Sequence, residues 1–375
     1  MNELFLFVKS LCWLLCAAAL FSGCAADGEL EEDSSLLLGE LGNVLYDQCS
    51  TEDTNFPYGS CMLPQECDLI GGTTSGSCAE GLGSCCIVKK SCGESTAFNN
   101  SYFVHPEESH EGACALTIQR MNEDICQVRL DFLELRLSQP DWDGHCNDDF
   151  LTVTGEASNP SIPIICGHND GQHMYVEVAA DGGVLELVVD SALPSSGRSW
   201  RIQVTQIGCD SRYLAPSGCL QYYTESVGNV SSFNFLHVPV VPPAVPATSQ
   251  IANHNYGICV RRMPGYCGIV WARDFTTDYS FTVSGDVNAL MPGFIGDPAS
   301  CSTGSDCPSD YVIIPGGYSE DFDPEQGDRF CGLGFPNSVM STSAPFVLYV
   351  RTDDTEAGDG GNLGFSFNYR QVVDC

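Results

Sequence analysis

The residues best suited to chemistry in this chain are its histidines and carboxylates, and their spacing supplies no catalytic pair. His105 and His110 sit with Glu107, Glu108 and Glu111 in a small polar cluster. A zinc hydrolase would need His-Glu-x-x-His on one helix face, and the chain has no such run. The two histidines read as surface loop residues. No Gly-x-Ser-x-Gly turn presents a serine nucleophile. Asp and Glu are abundant, yet no spacing singles out an acid and a base. The chain is therefore expected not to be an enzyme. Charge narrows the partners: 49 Asp and Glu against 15 Lys and Arg leave a formal net charge of −34. Nucleic acid needs a basic face and is excluded. Cationic partners and divalent cations are compatible with this charge, as is simple solubility through self-repulsion in an extracellular fluid.

Cysteine supplies the other chemistry. Lys9, an apolar run over residues 11–21 and the small residues after it predict a secretory signal peptide over 1–26. No later segment is apolar enough to cross a bilayer. In an oxidising compartment cysteines pair, so 22 of them predict a disulfide framework. Removing Cys12, Cys16 and Cys24 with the signal peptide leaves 19, an odd number. Residues 27–48 form an acidic spacer without Lys or Arg. Six cysteines follow, at 49, 61, 67, 78, 85 and 86, in a segment (49–86) too short to bury much of a core. Adjacent Cys85 and Cys86 do not suit a mutual bridge. A zinc site would need a Cys-x-x-Cys pair or a nearby histidine, and the segment has neither. Residues 87–91 read as a short connector, with Lys89-Lys90 a solvated pair or a processing site.

The rest of the chain uses one plan twice. Cys146-Asn-Asp-Asp149-Phe150 leads to Cys166-Gly167, as Cys307-Pro-Ser-Asp310-Tyr311 leads to Cys331-Gly332. A cysteine pair precedes each (Cys114 and Cys126, then Cys259 and Cys267), and an alternating strand ends each at Cys209 or Cys375. Gln127-Val-Arg-Leu-Asp-Phe alternates apolar and polar residues, and its phase slips at Leu133, which predicts a β-bulge. Phe150-Leu-Thr-Val-Thr, Met174-Tyr-Val-Glu-Val and Val184-Leu-Glu-Leu-Val-Val are further strands, punctuated by turn signals at 169–171 and 181–183. The second copy has strands at Tyr279-Ser-Phe-Thr-Val, Tyr311-Val-Ile-Ile and Phe346-Val-Leu-Tyr-Val. It also has a proline-rich extended loop over 238–247 and a Gly-, Pro- and Ser-rich insertion over 289–309. Regular short strands with turn punctuation predict β-sandwiches. Asn99-Asn-Ser101 and Asn229-Val-Ser231 are glycosylation acceptors at Asn99 and Asn229.

These features resemble the CUB domain, an extracellular β-sandwich, in the early cysteine pair, the Cys-x-x-Asp-aromatic strand start and the later Cys-Gly. The resemblance implies Cys92–Cys114 and Cys146–Cys166 in a first domain over 92–209. It implies Cys219–Cys259 and Cys307–Cys331 in a second, longer one over 219–375. Cys126 with Cys209, and Cys267 with Cys375, occupy the same relative places in the two copies. Each pair is inferred to close an added bridge between an inner strand and the last. The six-cysteine module is similar to a clip domain, which implies Cys49–Cys85, Cys61–Cys78 and Cys67–Cys86, where spacing alone leaves fifteen connectivities open. Clip domains usually precede a serine protease, and here no Gly-Asp-Ser-Gly motif follows. The whole looks like secreted arthropod proteins with paired CUB domains. Cys301 is left over, to stay free, exchange with Cys307 or bridge two chains.

Many CUB domains bind calcium through a Glu, the Asp after the third cysteine and an Asp in a late loop. The resemblance carries this to Asp149 and Asp190 in the first copy, where Ser138 falls at the Glu position. In the second it carries to Asp310 and Asp353, with no Glu in place. Asp353-Asp-Thr-Glu356 and Asp359 would supply extra oxygens or form a charged, exposed turn. The plainer alternative gives Asp149 and Asp310 loop hydrogen bonds to backbone N–H groups. The expected fold is all-β: two disulfide-stapled CUB-type β-sandwiches preceded by a small disulfide-rich module. The expected function is that of a secreted, non-catalytic recognition or adhesion protein. It would bind extracellular protein or glycan partners through CUB loops, with calcium assisting. The alternative is a regulatory cofactor of an extracellular serine-protease cascade, acting through the clip-like module.

Overall fold

The alternation around residues 127–132 becomes, in the computed structural model, one twelve-residue strand, Ile125–Arg136. The phase slip is a bulge: Phe132 faces Ile202 while Glu134 faces Arg201, which leaves Leu133 as the extra residue. The structure describes residues 47–375 apart from 107–111, 156, 158–161, 180–181, 192–196, 236–247 and 321–326. The signal peptide, nearly all of the acidic spacer, His110 with its three glutamates, and the proline-rich loop lie outside the described residues. Gln48–Cys375 forms one compact unit.

The disulfide module contains β1 (Gln48–Ser50), β2 (Tyr58–Met62), a short helix α1 (Pro64–Leu69), β3 (Thr73–Cys78) and β4 (Gly83–Lys90). Its core is sulfur: Cys61, Cys67, Cys85 and Cys86 are buried, joined as Cys49–Cys85, Cys61–Cys78 and Cys67–Cys86. Gly72 is required there, because a Cβ would meet the Cys86 sulfur at 2.3 Å.

The first sandwich contains β5 (Glu94–Thr96), β6 (Ser101–Val104), β7 (Cys114–Ile118), β8 (Ile125–Arg136), β9 (Asp149–Thr154), β10 (His173–Glu177), β11 (Leu185–Ser191) and β12 (Ser199–Gly208). One sheet runs β5-β7-β11-β9; the other runs β6-β12-β8-β10 and continues past β6 into β4, β2 and β1. Residues 87–90 are thus no connector. They finish β4, which pairs in parallel with β6, Val88 opposite Ser101 and Lys90 opposite Phe103. The reason is burial: Ile87 and Val88 are covered, as a solvated linker would not be.

The second sandwich contains β13 (Cys219–Tyr223), β14 (Val227–Ser231), β15 (Asn255–Val260), β16 (Gly268–Arg273), β17 (Phe281–Thr282), β18 (Cys301–Thr303), β19 (Tyr311–Ile313), β20 (Arg329–Gly332), β21 (Val339–Ser341), β22 (Phe346–Arg351) and β23 (Gly364–Val372). Its sheets run β13-β15-β22-β19-β20-β18 and β14-β23-β16-β21. The expected five-residue strand at Tyr279 shortens to the two residues of β17, and the insertion over 289–309 supplies 3₁₀ turns and β18 rather than plain loop. Fully buried rings fill the middle: Phe335 lies 4.5 Å from Phe367 and 5.0 Å from Phe281 between ring centroids. Each such ring contributes roughly 1.5–3 kcal/mol of burial.

Six further disulfides staple the sandwiches, three in each: Cys92–Cys114, Cys126–Cys209 and Cys146–Cys166, then Cys219–Cys259, Cys267–Cys375 and Cys307–Cys331. Cys301 is the unpaired cysteine among the described residues; burial pushes its thiol up to about 12. The expected all-β architecture, with two stapled sandwiches behind a small disulfide module, is the architecture found.

The two sandwiches are bolted together by polar side chains. Asn234 donates its backbone N–H to Asn169 Oδ1 at 2.7 Å, accepts from the His168 N–H at 2.8 Å and donates Nδ2 to Gln139 Oε1 at 2.9 Å. Gly167, of the first Cys-Gly motif, sits at φ +74°, and a Cβ there would meet Asn234 Oδ1 at 2.0 Å. Only glycine allows that approach. The Tyr222 N–H donates to His173 Nε2 at 3.1 Å, and His254 Nε2 lies 2.9 Å from the Ile164 carbonyl oxygen. Burial lowers these two imidazoles to about 3 and about 4, so both are neutral at ordinary pH.

Candidate functional site

Loops from both sandwiches meet at one end of the joint. Asp143 accepts hydrogen bonds from Thr355 Oγ1 at 2.7 Å and from the Glu356 N–H at 2.9 Å. One residue on, the Ala252 N–H donates to the Gly144 carbonyl at 3.0 Å. These contacts frame a cleft of about 500 Å³. Its first-sandwich wall is Pro140, Asp141 and Trp142; opposite stand Asp286, Asn288 and Glu356. Trp142 is 75 % exposed, unusual for an indole. Among the described residues, no Lys or Arg lines the cleft.

Under the cleft floor lies a buried polar group centred on Gln250. Its Nε2 lies 3.1 Å from Asp310 Oδ2, 3.1 Å from Glu356 Oε1 and 2.8 Å from the Val283 carbonyl. An amide has two N–H bonds, so three acceptors cannot all be served well. Asp310 Oδ1 also accepts from the Asp353 N–H at 2.7 Å. Among the described residues, the buried Glu356 Oε2 has no partner. Burial, then the nearby Asp310 carboxylate, pushes Glu356 up to about 9. Burial pushes Asp310 up to about 7 against the opposing Asp353 N–H bond. Burial also raises Asp359, which accepts from the Gly285 N–H. At neutral pH Glu356 therefore holds its proton. A second positive charge near Oε2 would replace that proton and satisfy the orphaned oxygen.

The first copy is built differently at the matching place. Asp149 Oδ1 receives Arg198 Nη2 at 2.5 Å, and Oδ2 receives the Ser138 hydroxyl at 2.7 Å. Burial would raise the Asp149 pKa, but the Arg198 bond, the Ser138 bonds and the Arg198 charge together lower it. A guanidinium already neutralises this carboxylate, and Ser138 stands where the resemblance wanted a Glu. These residues do not fit a calcium ion. Asp190 is on β11, opposite Phe150 and beside the Ser191–Asp149 pair.

Of the sequence-derived candidates, Asp310 lies in the acidic group and Asp353 touches it through its backbone; the Asp353 carboxylate instead accepts from the Thr355 N–H at 3.0 Å. Glu356, read as one end of an exposed turn or a spare donor, is 2 % exposed. Gln250 was missed. It follows the proline-rich loop, and no local pattern marks it. His105 packs edge-on against Trp200, with ring centroids 4.3 Å apart, as a structural residue. Among the described residues no group of three or more His, Cys, Asp or Glu is spaced to hold a metal ion. Asp310 and Glu356 are a pair, and any cation there would draw its other oxygens from carbonyls or water.

Residues 216–372 match the family model of the animal CUB domain. No curated protein sequence matches the chain. Among solved structures, the CUB1-EGF-CUB2 domains of rat MASP-1 are 14 % identical, covering 76 % of this chain and 99 % of that one, with a TM-score of 0.23. The CUB1-EGF-CUB2 domain of human MASP-1/3 is 15 % identical, covering 72 % and 98 %, also with a TM-score of 0.23. The second sandwich is thus similar to the animal CUB domain over residues 216–372. No helix among the described residues is long and apolar enough to cross a membrane.

Proposed function

We propose that this chain is a secreted, non-catalytic recognition protein in which two CUB-type sandwiches present one composite contact surface. The carrying observation is the joint itself: Asp143 of the first sandwich holds the Thr355–Glu356 turn of the second. The surface beside it is an acidic cleft with an exposed indole, suited to a cationic side chain of a protein partner stacked on Trp142. Calcium would bind in the second sandwich only. Asp310 and Glu356 would hold it, replacing the proton on Glu356. When bound, the ion would supply charge neutralisation that lets both carboxylates ionise. Asp353 would contribute by positioning Asp310 through its backbone N–H. Asp149 and Asp190 would play no part in metal binding.

Pull-down from extracellular fluid tests this reading. Partner capture should fall on calcium chelation and on Trp142→Ala; capture indifferent to both contradicts it.

A second reading has its own observation. The disulfide module leaves Leu63, Leu69 and Leu82 exposed, at 43 %, 86 % and 55 %. A protease of an extracellular cascade would dock there. Leu69→Ser abolishing protease capture, with cleft variants intact, would favour this reading.

A further inference from the structure

The two sandwiches can be compared strand for strand. In the first, β6 lies between β12 and β4, so the disulfide module covers its outer edge. In the second, β14 pairs with β23 and, among the described residues, ends the sheet. The core-facing residues fix the register: Phe103 pairs with Ile202, and Val230 pairs with Phe367, all four buried. One residue earlier on each strand stand Tyr102 and Asn229, both facing away from the core.

Tyr102 is the anchor of the disulfide module. It is fully buried, its hydroxyl donates to the Tyr58 carbonyl at 2.6 Å, and its ring meets Phe56 edge-on at 5.0 Å. Asn229 stands at the equivalent place, exposed together with Val227 and Gly228, and is the first residue of Asn229-Val-Ser231. An uncovered edge strand with an exposed valine invites pairing with another chain. Asn99, the other acceptor, is half-buried at the seam with the disulfide module: its Oδ1 accepts from the Gln206 N–H at 2.7 Å and its carbonyl from Ser60 at 2.8 Å.

We infer that Asn229 carries an N-linked glycan, and that this glycan caps the β14 edge as β4 caps β6. The donor is a lipid-pyrophosphate-linked oligosaccharide. Asn229 Nδ2 forms a bond to the first sugar's C1, the C1–oxygen bond to pyrophosphate breaks, the lipid pyrophosphate leaves and the amide gives up one proton to base. The remaining Nδ2–H still serves Ser366 Oγ, 3.2 Å away. A bulky, hydrated sugar beside the outer edge of β14 blocks strand addition.

The test uses the full chain secreted from glycosylating animal cells. Enzymatic deglycosylation in heavy-oxygen water, read by peptide mass, should mark Asn229; an unmodified Asn229 overturns the proposal. Sedimentation velocity should then show single chains for the native protein and for Ser231→Thr, which keeps the acceptor. It should show at least a two-fold rise in average mass for Asn229→Asp. Val227→Lys placed in Asn229→Asp should restore single chains. Folded protein deglycosylated after purification covers the case of a variant that fails to fold, and should associate likewise. Deglycosylated protein that stays single at the same concentration removes the capping role.

Discussion

Asp310 and Glu356 compete for one donor, the Gln250 amide, at 3.1 Å each. Two buried carboxyl groups this close cannot both ionise cheaply without an added cation. Their folded pKa values, about 7 and about 9, lie above the ordinary 3.8 and 4.5. A raised carboxyl favours folding fully below its unfolded value and loses that advantage as pH rises through the folded one. In chelator, the unfolding free energy should therefore fall between about pH 5 and pH 9, by up to roughly 1.4 kcal/mol per pH unit for each group that releases its proton on unfolding, and the thermal midpoint should fall with it. Glu356→Gln should flatten the limb above neutral pH. Thermal scans across pH check this, and an unchanged slope in the variant speaks against the pairing.

Arg198 and Asp149 are 3 % and 1 % exposed as side chains, a buried ion pair. Arg198→Met would strand the carboxylate and should cost about 3–5 kcal/mol. Arg198→Met with Asp149→Leu should recover much of it. A double-mutant cycle by denaturant unfolding measures the coupling; additive losses would mean the two side chains act separately.

Asn234 serves the joint with backbone and both side-chain atoms at φ +59°. Asn234→Ala removes the bonds to His168, Gln139 and Ser249 and strains the backbone, so a loss of roughly 2–4 kcal/mol is expected. Amide exchange should quicken around residues 167–172 and 231–234. Protection unchanged there would mean the joint does not depend on Asn234.

Lys89 and Lys90 belong to β4, paired opposite Tyr102 and Phe103, and Lys89 Nζ lies 4.0 Å over the Phe56 ring. A protease needs an extended, detachable segment, so native trypsin digestion should spare this dibasic pair. Phe56→Ala should expose it. Rapid cleavage of the native chain here would show that β4 is not held in the sheet.

Alternation and turn residues made the all-β architecture legible, down to the bulge at Leu133, because each strand buries one face and the period is local information. The acidic site was half legible. Asp310 was found through its place after Cys307, since the disulfide fixes that loop. Gln250 was not, and Glu356 was seen only as a spare oxygen donor or the end of an exposed turn, because each reaches Asp310 through tertiary contact across at least 46 positions of sequence, from loops whose local pattern says only polar and exposed. Arg198 was invisible for the same reason. A guanidinium 49 positions away decides that Asp149 is an ion-pair partner. The strand character of residues 87–90 was hidden by the two lysines, whose charges find partners only in the fold, Lys89 over the Phe56 ring and Lys90 beside Glu94.

Calorimetric titration of calcium into the full chain tests the central claim most directly. One ion per chain is predicted, with binding lost in Asp310→Asn with Glu356→Gln and retained in Asp149→Asn. An absence of heat and of thermal stabilisation, two ions per chain, or full binding by the Asp310/Glu356 double variant would contradict it.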